Sequence, residues 1–283
     1  MTPELDVLIP TCGRPAALAV LLTSLMAQTV GRLRVVISEQ GDHGGGRPGP
    51  GVRELLAVRR VLEARGHAVE LHRHLPRRGV AENRHFLLEQ ARAHRVLFLD
   101  DDVILEPGLI ARLMRHMDEE RCGFVGCGLV GLSFRDDVRP HEQAIDFWEG
   151  RVRPEVVRPG TPAWQRHRLH NAANLLHLAE RLRPAPGASR VYRVAWVGGC
   201  VLYDRAALEA CGGFRFWRRL PPDSAGEDVL AQLRVMARYG GCAIFPSGAY
   251  HQELPTTVTE RRVDAPLALP LDDDEPALDR AVA

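Results

Sequence analysis

Apolar and polar positions in the first half of the chain switch repeatedly between two periods. LDVLIP, LRVVIS, AVELHRH and RVLFLD are short strand-like runs. Leu18, Leu21, Leu22, Leu25 and Met26, then VRELLAVRRVLEARG, then AENRHFLLEQARAH, recur at helical spacing. This βα alternation predicts a mainly parallel central sheet flanked by helices. Ligands on such sheets bind beyond the carboxyl ends of the strands, where Thr11, Glu39 and the acids after Leu99 fall.

The second half is less regular. CGFVGCGLVGL predicts a buried strand, residues 133–163 are rich in charge, Pro and Trp, and AWQRHRLHNAANLLHLAERLR predicts one amphipathic helix. VYRVAWVGGCVLYD predicts strand material broken at Gly198 and Gly199. Helix DRAALEACGG, loop FRFWRRLPPDSAG, helix EDVLAQLRVMARYG and strand GCAIFP then follow. The tail after Pro255, with its LDDDEP run, is expected to be mobile. With 283 residues, no internal repeat and no clear linker, one large α/β domain is favoured.

Candidate chemistry concentrates in VLFLDDDV. An apolar strand delivers Asp100, Asp101 and Asp102 to its end, and clustered anions repel unless a cation sits among them. Hard oxygen donors suit Mg²⁺ or Mn²⁺, commonly held by one or two carboxylates with phosphate and water completing the shell. The plainer alternative is a solvated turn before a helix, since Pro107 and LIARLMRHM follow closely.

Composition removes some function classes. A net charge of +1 gives no chain-wide footprint for nucleic acid or an anionic membrane. The six cysteines show neither CxxC pairs nor zinc spacing, so reduced, buried thiols are expected. The start lacks a basic segment with a long apolar core, and no run is long enough to cross a bilayer. A cytoplasmic protein without a transmembrane segment is expected, with peripheral membrane contact left open.

The ordered set VLIPTCGRPAALAVLLTSLMAQT, RGVAENRHFLLEQARAHRVLFLDDDVILEPG, VGGCVLYDRAALEACGGF and GEDVLAQLRVMARYGG, with His251 beyond it, resembles family 2 glycosyltransferases of the GT-A fold. The resemblance implies a nucleotide-sugar (donor) half over 1–130, an acceptor-binding and catalytic half of the same domain over 131–254, and a tail over 255–283. On the donor side it assigns Pro10, Thr11 and Arg14 of the first loop, Glu39 near the nucleobase, Arg84 near the diphosphate or base, and Asp100 and Asp101. Asp102 matches the usual metal contact, and His251 a metal or diphosphate ligand. The implied donor is most commonly a UDP-sugar. Ser38-Glu39-Gln40-Gly41-Asp42 departs from the family's usual second-strand loop, so TDP- and GDP-sugars stay open.

Glycosyl transfer develops negative charge on a departing diphosphate and requires an acceptor hydroxyl to lose a proton. By resemblance to inverting members, Asp228 is the candidate base, with Glu227 beside it to raise its pKa or hold the hydroxyl. The alternative for both acids is complementing a helix N-terminus. Gly198 and Gly199 would let a small-molecule or glycan acceptor approach the backbone, and Trp196 would stack on a sugar face or belong to the core. Trp148, Trp164 and the region 139–190 shape an acceptor site, a protein interface or a covering layer. The expected activity is metal-dependent, inverting transfer of one sugar to an acceptor hydroxyl. A nucleotidyltransferase is disfavoured by the lack of a Gly-rich, Lys-bearing loop, since the chain has no Lys at all. A non-catalytic nucleotide-sugar-binding protein would not need both acid groups.

Overall fold

A computed structural model describes residues 4–41 and 52–271. The Gly/Pro-rich loop from Asp42 and the acidic run of the tail lie outside the described residues. The first half runs β1 (Leu5–Thr11), α1 (Pro15–Leu25), β2 (Arg34–Glu39), α2 (Val52–Ala64), β3 (Ala68–Arg73), α3 (Val80–Glu89), β4 (Arg95–Leu99), β5 (Val103–Leu105) and α4 (Leu109–Glu120). The second half adds β6 (Phe124–Gly126), α5 (Asn174–Leu182), β7 (Arg190–Tyr192), β8 (Cys200–Asp204), α6 (Arg205–Ala210), α7 (Glu227–Tyr239), β9 (Gly241–Phe245), β10 (Ala249–His251) and α8 (Ala265–Ala268).

Eight strands form one sheet in the order β3-β2-β1-β4-β8-β6-β9-β7. The β3-β2-β1-β4 half is parallel, as is β6 with β9, whereas β8 runs antiparallel to both β4 and β6, and β7 to β9. The mixed α/β architecture with a mostly parallel central sheet therefore agrees with the pattern of the sequence.

The continuous apolar runs of β1 and β4 have a structural reason: both faces of these strands are covered. Val7 and Ile9 pack on one side with Leu18, Leu21 and Leu25 of α1 and Leu113 of α4. Leu8 and Val36 face the other way, into a layer with Leu87 of α3 and Leu230 and Leu233 of α7. Side-chain alternation along each strand thus feeds two cores at once.

Three local expectations are revised. Helix α3 stops at Glu89 because the N–H groups of Arg92 and Ala93 are taken by the buried carboxylate of Asp6, at 2.5 and 2.9 Å. The single helix expected over AWQRHRLHNAANLLHLAERLR is a 3-10 stretch (Pro162–His170) followed by α5. Between them Ala172 has φ +48°, and Asn171 and Asn174 both donate to Glu142 Oε2. Such side-chain bonds offer the chain an alternative to a continuous helix.

The described part of the tail, residues 255–271, is tied to the rest of the chain. Its Val263 and Ala265 exchange backbone hydrogen bonds with Ala225, at 2.9 and 2.8 Å, and Ala265 is buried. Among the described residues, no helix is long and apolar enough to cross a membrane.

Candidate active site

A cavity of about 680 Å³ opens at the carboxyl ends of β1 and β4. Of the candidate residues, Pro10, Thr11, Arg14, Arg84, Asp100, Asp101, Asp102, Trp196, Glu227, Asp228 and His251 line it. Glu39, Gly198 and Gly199 are not among its lining residues.

The first acid group is engaged by side chains from the end of β1 and from the β1–α1 loop. Thr11 Oγ1 donates to Asp101 Oδ2 at 2.7 Å. Arg14 Nη1 donates to Asp101 Oδ1 at 3.2 Å and to Asp102 Oδ2 at 2.9 Å. Burial pushes the Asp101 carboxyl up to about 6, against the Thr11 and Arg14 contacts that hold it down. Burial also opposes ionisation of Asp102, but His251 and Arg14 outweigh it and leave that carboxyl below its ordinary value.

His251 reaches this place by strand pairing. β10 runs antiparallel to β5 with His251 opposite Val103, and Gln252 N donates to Asp102 O at 2.8 Å. The result is a separation of 3.4 Å between His251 Nε2 and Asp102 Oδ2.

One imidazole nitrogen and one carboxylate oxygen at this spacing fit a divalent cation that keeps phosphate and water for the rest of its shell. No group of three or more His, Cys, Asp or Glu side chains suited to a metal occurs among the described residues. The protein's share would therefore be small. Arg14 shares the Asp102 oxygen that such an ion needs.

The second acid group opens α7, immediately after Gly226. Gly226 has φ +75°, and a Cβ there would lie 2.3 Å from Asp264 Oδ1, so the close approach of the tail requires glycine. Arg84 ties this group to the first: its Nε donates to Glu227 Oε1 at 2.9 Å and its Nη2 to Asp100 Oδ1 at 2.6 Å.

Burial pushes the Asp228 carboxyl up to about 7, helped by the Glu227 charge and opposed by Arg84. Asp228 keeps part of its surface open to the cavity, so it can exchange a proton with a bound molecule. The sequence placed the acids after Leu99 at the carboxyl end of a strand and Glu227 and Asp228 at the start of a helix. Their direct linkage through Arg84 carried no signal in spacing, because the partners are 16 and 143 residues apart.

Aromatic rings form another wall. Trp164 of the 3-10 stretch and Trp196 lie with centroids 4.5 Å apart, and His167 stacks on Trp196 at 4.8 Å and 13°. Both indoles line the cavity. Gly199, with φ +73°, sits behind the acids: its carbonyl accepts from Asp100 N at 2.9 Å, and a Cβ on it would meet Leu129 at 2.5 Å. Gly198 is exposed, with open space where a side chain would be.

Glu39 Oε1 accepts from the backbone N–H of Gly13 at 2.9 Å and of Gly41, holding the ends of β1 and β2 together. Sequence reasoning missed Arg77, Asn83, Arg261 and Asp264 as cavity residues. Asn83 alone carried a signal, as a polar residue one position before Arg84 in α3. Arg77 comes from the β3–α3 connection, and Arg261 and Asp264 depend on how the tail folds back.

The profile of the family described as "Glycosyltransferase like family 2" matches residues 3–263. Curated protein sequences returned no match. Among solved structures, S. aureus TarS matches with a TM-score of 0.54 at 16% identity, over 88% of this chain and 36% of that one. TarS 1–349 in complex with UDP-GlcNAc matches with a TM-score of 0.51 at 14% identity, over 90% and 60%. A mannosyltransferase from Pyrobaculum calidifontis in complex with GDP-Man and Mn²⁺ matches with a TM-score of 0.49 at 18% identity, over 86% and 57%. The chain spans less than two thirds of the length of each of these structures.

Proposed function

Because the chain belongs to the glycosyltransferase-like family 2, we propose that it transfers one sugar from a nucleotide-diphosphate donor to an acceptor hydroxyl, with inversion at the anomeric carbon. The single observation that carries this reading is the meeting of two acid groups, Asp100 to Asp102 and Glu227 with Asp228, in one cavity at the strand ends. TarS, of the same fold, is solved with UDP-GlcNAc, which makes a UDP-sugar the first donor to try.

The division of labour follows from charge. Asp102 and His251 would hold Mg²⁺ or Mn²⁺, which when bound supplies positive charge to the departing diphosphate. Arg14 stands beside them and adds its own charge to the same place. Asp228 takes the proton of the acceptor hydroxyl, for which a pKa of about 7 is well matched to neutral pH. Arg84 keeps Glu227 and Asp100 in fixed positions around the reacting groups. Trp164 and Trp196 offer an apolar surface to the acceptor. In this scheme residues 1–130 serve the donor and 131–254 the acceptor.

Thermal unfolding of the full chain with nucleoside diphosphates tests the donor half of this reading. A rise in midpoint with UDP that increases when Mn²⁺ is added is expected. No shift with any nucleoside diphosphate, with or without Mn²⁺ or Mg²⁺, would remove the reading.

A further inference from the structure

The tail brings one more carboxylate to the start of α7. Asp264 lines the cavity, and the backbone on both sides of it is pinned: Ala225 N donates to Val263 O at 2.9 Å, Ala265 N donates to Ala225 O at 2.8 Å, and Ala265 and Pro266 are buried. Its Oδ1 lies against Gly226, two residues before Asp228 and so within one helical turn of it, about 5.4 Å of rise. The side chain does not cap α8, and among the described residues it accepts no hydrogen bond and joins no salt bridge. It is exposed to the cavity, yet the packing around it raises its pKa above the ordinary value, against the pull of Arg261. A fixed, partly desolvated carboxylate of this kind gains from a donor that arrives with a ligand.

The aromatic wall says what carries that donor. Trp164 and Trp196 are half-buried in the same cavity and tilted 46° to one another, and His167 backs Trp196. An apolar ring surface with carboxylates at its margin suits a sugar, whose C–H face packs on an indole while its hydroxyls donate outward.

Charge narrows the class further. Arg84 is shared by Glu227 and Asp100, and Arg261 donates to Thr256 Oγ1 at 3.4 Å, which leaves Asp228 and Asp264 without a bonded cation. A phosphate or carboxylate next to the reacting hydroxyl would meet these acids as like charges and lose affinity.

We propose, on the basis of the transfer reading above, that Asp264 orients the acceptor: its carboxylate accepts a hydrogen bond from a hydroxyl of an uncharged sugar, next to the hydroxyl whose proton Asp228 takes, with Trp164 and Trp196 against the apolar face of that sugar.

Transfer by the full chain in Mn²⁺ from UDP-GlcNAc, UDP-glucose or GDP-mannose to a panel of p-nitrophenyl hexosides, each paired with its 6-phosphate and its uronic acid form, tests this. At least one uncharged hexoside should be glycosylated, with kcat/KM at least tenfold above either anionic counterpart. Asp264→Ala should raise the KM for that hexoside about tenfold or more. Asp264→Asn, which keeps an oxygen acceptor and loses the charge, should raise it less and narrow the neutral-to-anionic ratio at least threefold, while the affinity of both variants for UDP stays within twofold.

An anionic counterpart used as well as the uncharged hexoside by the unmutated protein overturns the assignment, and that comparison needs no variant to fold. A folded Asp264→Ala protein with unchanged KM, or a folded Asp264→Asn protein that keeps the ratio, also overturns it. Donor hydrolysis without transfer to any hexoside removes the sugar acceptor and leaves the donor reading standing. If no nucleoside diphosphate is released with or without hexosides, both fall.

Discussion

Arg84 and Glu227 form a buried ion pair across 143 residues of sequence, Nε to Oε1 at 2.9 Å, with both side chains 6% exposed. The same guanidinium reaches Asp100 at 2.6 Å, so one side chain fixes the distance between the acids after β4 and those at the start of α7.

Removing it by Arg84→Met leaves Glu227 buried without its cation, which costs about 3–5 kcal/mol for a pair of this kind. Asp100, at 37% exposure, adds little because solvent screens it. Urea unfolding at pH 7 should report the loss, and Arg84→Lys should recover only part of it, since an ammonium lacks the two-pronged geometry.

Asp228 must be ionised to accept a proton. Transfer should therefore rise with pH through about 7 and level off above it. Asp228→Asn should lower the rate by about 10²- to 10⁴-fold while donor affinity stays within about twofold, because the loss falls on general-base catalysis alone. Rate against pH, with donor affinity measured separately, checks both statements.

The same group makes stability depend on pH. Its carboxyl binds a proton more tightly in the folded protein, at about 7, than at its ordinary value of 3.8. The stabilisation by the bound proton is thus complete below about pH 4 and is lost as pH rises through 7. Relative to Asp228→Asn, the unmutated protein should lose urea resistance between about pH 4 and 7. A constant difference across that window would contradict the assignment.

Asp102 and His251 are predicted to govern cation-dependent donor binding. Asp102→Ala should abolish the extra thermal stabilisation that Mn²⁺ gives to the UDP complex, and His251→Gln should raise the Mn²⁺ concentration required by tenfold or more.

Trp164→Ala should raise the KM for a sugar acceptor by about three- to tenfold, as expected for a ring contact of about 0.5–1.5 kcal/mol. Donor hydrolysis in the absence of acceptor should be unchanged. Steady-state kinetics with and without acceptor separate these effects.

The features legible in the sequence were those with a local cause. RVLFL announced β4 because both of its faces are buried, and the acids at its exit fell at the ligand end of the sheet by direction alone. EDVLAQLRVMARY announced α7, with Glu227 and Asp228 in its first turn. Features built from distant residues were hidden.

The break between residues 170 and 174 depends on Glu142 gathering two asparagines, and the end of α3 depends on Asp6 far upstream. Composition gave the tail the look of a mobile segment. The pairing of Ala225 with Val263 and Ala265, and the bonds from Arg14 to Pro255 O and Arg77 to Thr257 O, hold its first part against the cavity.

The central claim is that the two acid groups joined by Arg84 carry out one sugar transfer. The most direct measurement is release of nucleoside diphosphate by the full chain from a panel of UDP-, TDP- and GDP-sugars in Mn²⁺, with the anomeric configuration of the liberated or transferred sugar followed by NMR. Turnover of at least one donor with inverted configuration, lost in Asp228→Asn, is the predicted result. A donor that binds in the cavity yet is never cleaved, or cleavage that Asp228→Asn leaves untouched, would contradict it.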